Sequence, residues 1–180
     1  HNIALRFEDQ QWTYAQFNAW ANRLAACWAE QGVGPGDTVA IMMENRPEAL
    51  ACVAATVKLG AIAGMLNHNQ SGEVLEHSIQ LVTPRLLVVS AECAAALATT
   101  CFTPTASSSN TSQQASSICY LWHGGDQGEP APPGWLDLDE YAARQSEANP
   151  PGTGRVRAEQ PCFSIFTSTI FPNSYFIYFN

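Results

Sequence analysis

Two small hydroxyl residues, Thr167 and Ser168, follow a buried-strand run, Ser164 to Phe166, near the end of the 180-residue chain. Hydroxyls at the carboxyl end of a strand in an open α/β sheet commonly lead into a glycine-rich loop whose amides cradle phosphate. Here the continuation is Thr169, Ile170, Phe171 and Pro172, with no glycine and no lysine. A phosphate loop is begun and not completed.

The other candidates for chemistry are scattered. In GVGPGD (residues 32–37) the glycines come after a helix pattern and before a strand pattern. A dinucleotide loop needs the opposite order, so these glycines read as a helix stop and a tight turn. PGTGRVR (151–157) sets Arg155 and Arg157 beside closely spaced glycines. Such a basic loop could touch a phosphate, although a plain connector is the favoured reading. His68 lies between two asparagines after a strand, and His77 lies on a helix face away from Leu75 and Ile79. Neither has an acid or nucleophile at short range, and both read as structural histidines.

Lys58 is the only lysine, placed near the end of a buried-looking helix where its stem can lie on apolar surface while its amine reaches water. Glu44 ends a strand, Glu48 opens a helix where the dipole favours an anion, and Asp137, Asp139 and Glu140 lie in an exposed segment. They form no catalytic pair. The six cysteines, at 27, 52, 93, 101, 119 and 162, make no CxxC pair and lie at no metal-ligand spacing from a histidine. They read as reduced structural thiols, Cys27 and Cys52 within helices, which points to an intracellular protein. No catalytic residue and no metal ligand is therefore assigned.

The elements that must position these residues are regular in the first half. ALRFEDQQWTY reads as two short strands joined at Glu8 to Gln10, after which Thr13 and Gln16 have capping-box spacing. The helix that follows puts Phe17, Trp20, Ala21, Leu24 and Trp28 on one face and stops at Gly32. TVAIMME reads as a buried strand, 47–59 as a helix opened by Pro47, and AIAGML as a strand. A helix carrying Leu75, Ile79 and Val82, the strand RLLVVS and the helix ECAAALA come next. Alternation of this kind predicts an α/β fold, a parallel sheet with flanking helices.

After Thr99 the order decays. TTCFTPTASSSNTSQQASS predicts a flexible surface loop, ICYLW a further strand, HGGDQGEPAPPG a second loop, WLDLDEYAARQ a short amphipathic segment and NPPGTGRVR a third loop. The expected organisation is an N-terminal α/β portion over 1–98 and a loop-rich continuation of the same domain over 99–161. A strand leading to the phosphate-loop position follows over 162–168, and then an aberrant tail over 169–180.

A net charge of −8 with only 8 basic residues offers no basic patch for a nucleic-acid backbone. The longest apolar run, LACVAATVKLGAIAGML, is broken by Lys58 and two glycines and is too short to span a bilayer. The sequons at Asn69 and Asn110 have no visible secretory context. The chain opens on His1, which leaves room for residues upstream and any targeting segment among them.

Residues 12–90 resemble the N-terminal part of the AMP-forming acyl-CoA synthetases, within the adenylate-forming enzymes. The resemblance is carried by Thr13-Tyr14, Asn22 to Ala25, Gly36-Asp37, Asn45, Pro47-Glu48, Lys58, Gly60-Ala61 and Asn67. LNHNQSGEVLEHSI looks most like the very-long-chain or fatty-acid-transport-protein branch, and RAEQPCFSIFTS looks like the strand before the family's phosphate loop. There Ile-Phe-Thr-Ser would continue Gly-Thr-Thr-Gly-x-Pro-Lys, of which only Thr167 and Ser168 are present as an ATP-binding remnant.

The resemblance implies a parent enzyme that uses ATP and Mg to convert a fatty acid into an acyl-adenylate, then passes the acyl group to CoA. It implies a cytoplasmic parent, membrane-peripheral at most. The family's magnesium ligand, its adenine and ribose contacts, most of its acyl pocket and its C-terminal domain are not recognisable here. The expectation is a fragment that binds none of these cofactors productively and is inactive alone. The tail has the look of an altered reading frame or terminus. Exposed apolar surface offers a route to self-association, and the aromatics Tyr175, Phe176, Tyr178 and Phe179 offer a contact for a partner. The rival expectation is a non-catalytic α/β module that binds or regulates a partner.

Overall fold

The computed structural model describes residues 2–104, 118–166 and 176–179. Thr167 and Ser168, most of the Ser/Thr-rich loop and the first part of the tail lie outside the described residues. Chain entry is a hairpin of β1 (Ile3–Phe7) and β2 (Gln10–Thr13), antiparallel, with Phe7 opposite Gln10. Thr13 then caps α1 (Tyr14–Glu30) through both halves of the capping box. Gln16 N donates to Thr13 Oγ1 at 3.3 Å, and Thr13 N donates to Gln16 Oε1 at 2.9 Å. The helix ends as expected beside Gly32, whose positive φ of 77° a side chain would resist.

Seven strands form the main sheet: β3 (Thr38–Met42), β4 (Ile62–Met65), β5 (Leu86–Ser90), β6 (Cys119–His123), β7 (Leu136–Asp137), β8 (Phe163–Phe166) and β9 (Phe176–Phe179). Their spatial order is β7-β6-β5-β3-β4-β8-β9, and every pairing is parallel except that of β8 with β9. Five of the six parallel strands, all but β7, fall where the sequence predicts strands. Two strands fall where the sequence shows no strand pattern: two residues of the amphipathic segment form β7, and residues of the aromatic tail add the antiparallel β9.

Helices cover both faces. On one lie α1, α2 (Pro47–Lys58) and α5 (Leu138–Ala143), against Val39, Ile41, Leu86, Val88 and Leu121. On the other lie α3 (Gly72–Val82) and a single turn, α4 (Ala94–Leu97), against Ala40, Met42, Leu87, Val89 and Tyr120. Consecutive strand residues thus serve opposite cores, which is why β3 and β5 are apolar throughout rather than alternating. The segment ECAAALA makes a 3-10 turn before α4, a shorter element than its composition suggests.

Trp28 anchors the first core. It is fully buried, its Nε1–H donates to Thr56 Oγ1 at 3.1 Å, and Thr56 Oγ1 donates on to Cys52 O at 2.8 Å. This satisfies the only polar atom of the indole and staples α1 to α2. Cys27, Cys52, Cys93, Cys101 and Cys119 are free thiols. Burial pushes the thiols of Cys27 and Cys93 up to about 12 and raises that of Cys52 as well, so they pack as inert apolar groups. Among the described residues no helix is long and apolar enough to cross a membrane.

Candidate functional site

In an open parallel sheet, ligands bind outside the carboxyl ends of the strands, where neighbouring strands send their chains in opposite directions. That place lies between β3 and β5. The chain leaves β3 for β4 on one side of the sheet and leaves β5 for β6 on the other. Three connections meet there: Met43 to Arg46 after β3, Ala91-Glu92 after β5, and Gly124 to Asp126 after β6.

Arg46 occupies the crevice. Its side chain is 11% exposed, and it reaches the last residue of β5 by donating from Nη1 to Ser90 Oγ at 3.0 Å. Nη1 also lies 3.3 Å from both carboxylate oxygens of Glu92, and Nη2 pairs with Asp126. Nε is 3.5 Å from Glu48 Oε2 and makes no hydrogen bond. Ser90 Oγ donates to Glu92, and the Glu44 amide donates to Glu92 Oε1 at 3.3 Å. Burial alone would push the Glu92 carboxyl up. The bonds from Ser90 and from two backbone amides, with the Arg46 charge, outweigh it and hold the group below the usual carboxylate range.

Beside this network stands His123, the last residue of β6, whose side chain is 9% exposed. Its Nδ1 is 3.0 Å from Asp139 Oδ2 on α5. A carboxylate only accepts, so Nδ1 carries the proton. Burial disfavours the imidazolium, but the hydrogen bond and charge of Asp139, helped by Glu48 and opposed by Arg46, raise the histidine above its ordinary value. The loop after His123 is tight, with the Glu129 amide donating to Gly124 O at 2.7 Å. A Cβ on Gly124 would come within 2.7 Å of Glu129 O, so only glycine fits there.

The described part of this edge can hold loops together, but it is poorly suited to a polyphosphate. Its one arginine is already matched by Glu48, Glu92 and Asp126, and a bound triphosphate would meet those carboxylates. No group of three or more metal-type ligands occurs among the described residues. These residues do not fit ATP and its magnesium, and no chemical step is derived through them.

The expected site residues separate. Thr167 and Ser168 lie outside the described residues, after a strand whose carboxyl end is on this edge. His77 is exposed on α3, and half-buried His68 meets its neighbour, with Asn69 Nδ2 at 3.2 Å from Nε2. Asp137 caps α5 by accepting from the Glu140 amide at 2.8 Å. Lys58 is at the opposite edge of the sheet, where its amine donates to Asn18 Oδ1 and Asn149 Oδ1. Arg46, Ser90, Glu92, His123 and Asp126 have no mutual spacing in sequence. The one available signal was that Ser90 and His123 are the polar residues closing two apolar strand runs.

Fold and crevice define the class: a doubly wound α/β domain with its crevice at the carboxyl ends of the parallel strands. The sequence profile described as AMP-binding enzyme matches residues 1–169, and the chain belongs to that family. A medium/long-chain-fatty-acid–CoA ligase of Mycobacterium tuberculosis, FadD6, is 38% identical over 174 residues. The match takes in 96% of this chain and 26% of the ligase, so the chain spans about a quarter of that relative. Long-chain fatty acid transport protein 1 of Rattus norvegicus is 34% identical over 87 residues, covering 48% of this chain and 14% of the transport protein. Among solved structures, the anthranilate CoA ligase AuaEII in complex with anthranoyl-AMP superposes with a TM-score of 0.82. It is 19% identical, over 99% of this chain and 31% of that one, and supports the fold alone.

Proposed function

We propose that this chain is the N-terminal portion of a fatty-acyl-CoA synthetase. The parent reaction joins ATP, a fatty acid and CoA into acyl-CoA, AMP and diphosphate through an acyl-adenylate. Support for the substrate class comes from FadD6, a medium/long-chain-fatty-acid–CoA ligase that matches nearly the whole chain. On this reading Thr167 and Ser168 are the remnant of the ATP phosphate loop, and the parent works in the cytoplasm, at a membrane surface when its fatty acid is there.

The chain by itself is inactive in this proposal, and the observation that carries this is the state of Arg46. Stabilising the transferring phosphate needs a cation not already neutralised. Arg46 is the described cation at the crevice, and three carboxylates surround it. Two assays test the reading. The chain alone, given ATP, magnesium and medium- or long-chain fatty acids, is expected to give no diphosphate exchange. Acyl-AMP in that assay would overturn the inactivity. A chimera carrying residues 1–166 in place of the matching segment of a full-length fatty-acid–CoA ligase is expected to form acyl-CoA. A folded chimera that forms none would overturn the assignment to a synthetase.

A further inference from the structure

The eight basic residues divide into two groups. Arg23, Arg46, Arg85 and Arg144 each face a carboxylate: Glu147, the Arg46 cluster, Asp37 and Glu140 respectively. Arg6, Lys58, Arg155 and Arg157 make no ion pair among the described residues. Three of these four gather at one place in an acidic chain, under the loop that runs from Pro150 to Cys162 across the end of α2.

Two adjoining cavities lie beneath that loop. One, of about 320 Å³, is lined by Lys58 and Arg155 with Pro35, Gly60, Pro150 and Gly152. The other, of about 250 Å³, is lined by Arg157 with Val57, Ala61 and Pro161. Gly60, Val156 and Gln160 belong to both, so the cavities share a wall. The Lys58 amine is oriented by two neutral acceptors, Asn18 Oδ1 at 2.8 Å and Asn149 Oδ1 at 3.0 Å. An ammonium has three N–H donors, so one remains for a ligand. Partial burial pulls this amine below its ordinary value.

Neither Asp37 nor Glu159 fills the role of counter-ion to this amine. Asp37 accepts from the Gly34 amide at 2.8 Å and faces Arg85, while Glu159 is exposed on the loop and lines neither cavity.

We propose that the space beneath residues 150–162, at the amino edge of the sheet, binds a small phosphate-bearing molecule, with Lys58 and Arg155 as its cationic contacts and Arg157 at its rim. The guanidinium fork of Arg155 matches two phosphate oxygens, and Lys58 supplies a point charge fixed by its asparagines. Volumes of this size accept a small phosphomonoester with room to spare beyond the phosphate. The site is separate from the carboxyl-edge crevice and does not depend on what that crevice does.

The test titrates the full chain with inorganic phosphate and with glycerol 3-phosphate at constant ionic strength, following backbone amides by NMR. Saturable shifts at Gly34, Gly60 and Gly152 are expected. R155Q, a change to an exposed side chain, is expected to weaken binding about tenfold, as the loss of one charge-assisted pair would. K58M is expected to abolish the shifts, and R6Q to leave them unchanged. Tighter binding of glycerol 3-phosphate identifies an organic phosphate as the ligand, and equal binding identifies the phosphate group alone. Shifts that rise linearly without saturating, or R155Q and R157Q binding as the wild type does, would overturn the site whatever K58M does to folding.

Discussion

Replacing Arg46 by methionine keeps much of its aliphatic bulk and removes the charge from the crevice between β3 and β5. The cost follows from how exposed each partner is. Asp126 is 82% exposed, so its pair with Arg46 contributes at most about 0.5 kcal/mol after screening. Glu48 and Glu92 are 27% and 25% exposed, between surface and interior. Breaking a fully buried pair from one side costs about 3–5 kcal/mol; partial solvent access lowers the expected loss here to about 2–3 kcal/mol.

In urea, with a slope of about 2 kcal/mol per molar, that loss moves the unfolding midpoint down by about 1–1.5 M. The double variant R46M/E92Q is expected to recover part of it, a coupling of about 1–2 kcal/mol, because Glu92 no longer sits charged without its partner. The pH dependence has a fixed sign. Glu92 is held below its unfolded value, so its contribution is present above about 4.3 and lost as the pH falls through the folded value. The gap between wild type and R46M should therefore close in acid. A loss under about 0.5 kcal/mol at neutral pH, with no coupling to E92Q, would refute the reasoning and reduce the network to screened surface pairs.

Trp28→Ala empties the middle of the α1–α2 contact and is expected to cost about 3–5 kcal/mol in the same urea assay, whereas Trp28→Phe, losing mainly the bond to Thr56, costs closer to about 1–2 kcal/mol. His123 is raised above its unfolded value of about 6.5, so its stabilising charge is fully present below that pH and lost as the pH rises through the folded value. Urea midpoints at pH of about 5.5 and 8.5 should fall for the wild type and change less for H123Q; equal slopes would show that the Asp139 contact contributes nothing.

Much of the scaffold was legible because its signals are local. The capping pair Thr13 and Gln16, Pro47 at a helix start and Gly32 past a helix end each act within one turn of the chain. The faces of α1 and α3 were equally plain, since Leu24 with Trp28 and Leu75 with Ile79 repeat at helical period. β7 and β9 were hidden for different reasons: two residues are too few to show a period, and an aromatic run in which every position is bulky shows none.

The crevice was illegible because it is assembled across the sheet. Arg46 meets Ser90 and Asp126, 44 and 80 residues away, and those distances become contacts only once β3, β5 and β6 are in order. Lys58 stands out in the sequence as the sole lysine, yet its placement by Asn18 and Asn149 depends on a loop returning across the end of α2.

The position of β8 has a consequence for how the molecule comes into being. Strands β3, β4 and β5 pair through connections closed within one stretch of chain, Thr38 to Ser90, and can assemble as soon as that stretch exists. The other side of β4 waits for Phe163, its partner to Ala63, about 100 residues further on. Closing that loop costs about 1.3 kcal/mol more than closing the one between β3 and β4, by the logarithmic dependence on length. Until synthesis reaches β8, the outer ladder of β4 stands unpaired beside apolar residues, an invitation to foreign strands. The newborn chain is therefore most vulnerable in the interval between its first three parallel strands and the arrival of its eighth.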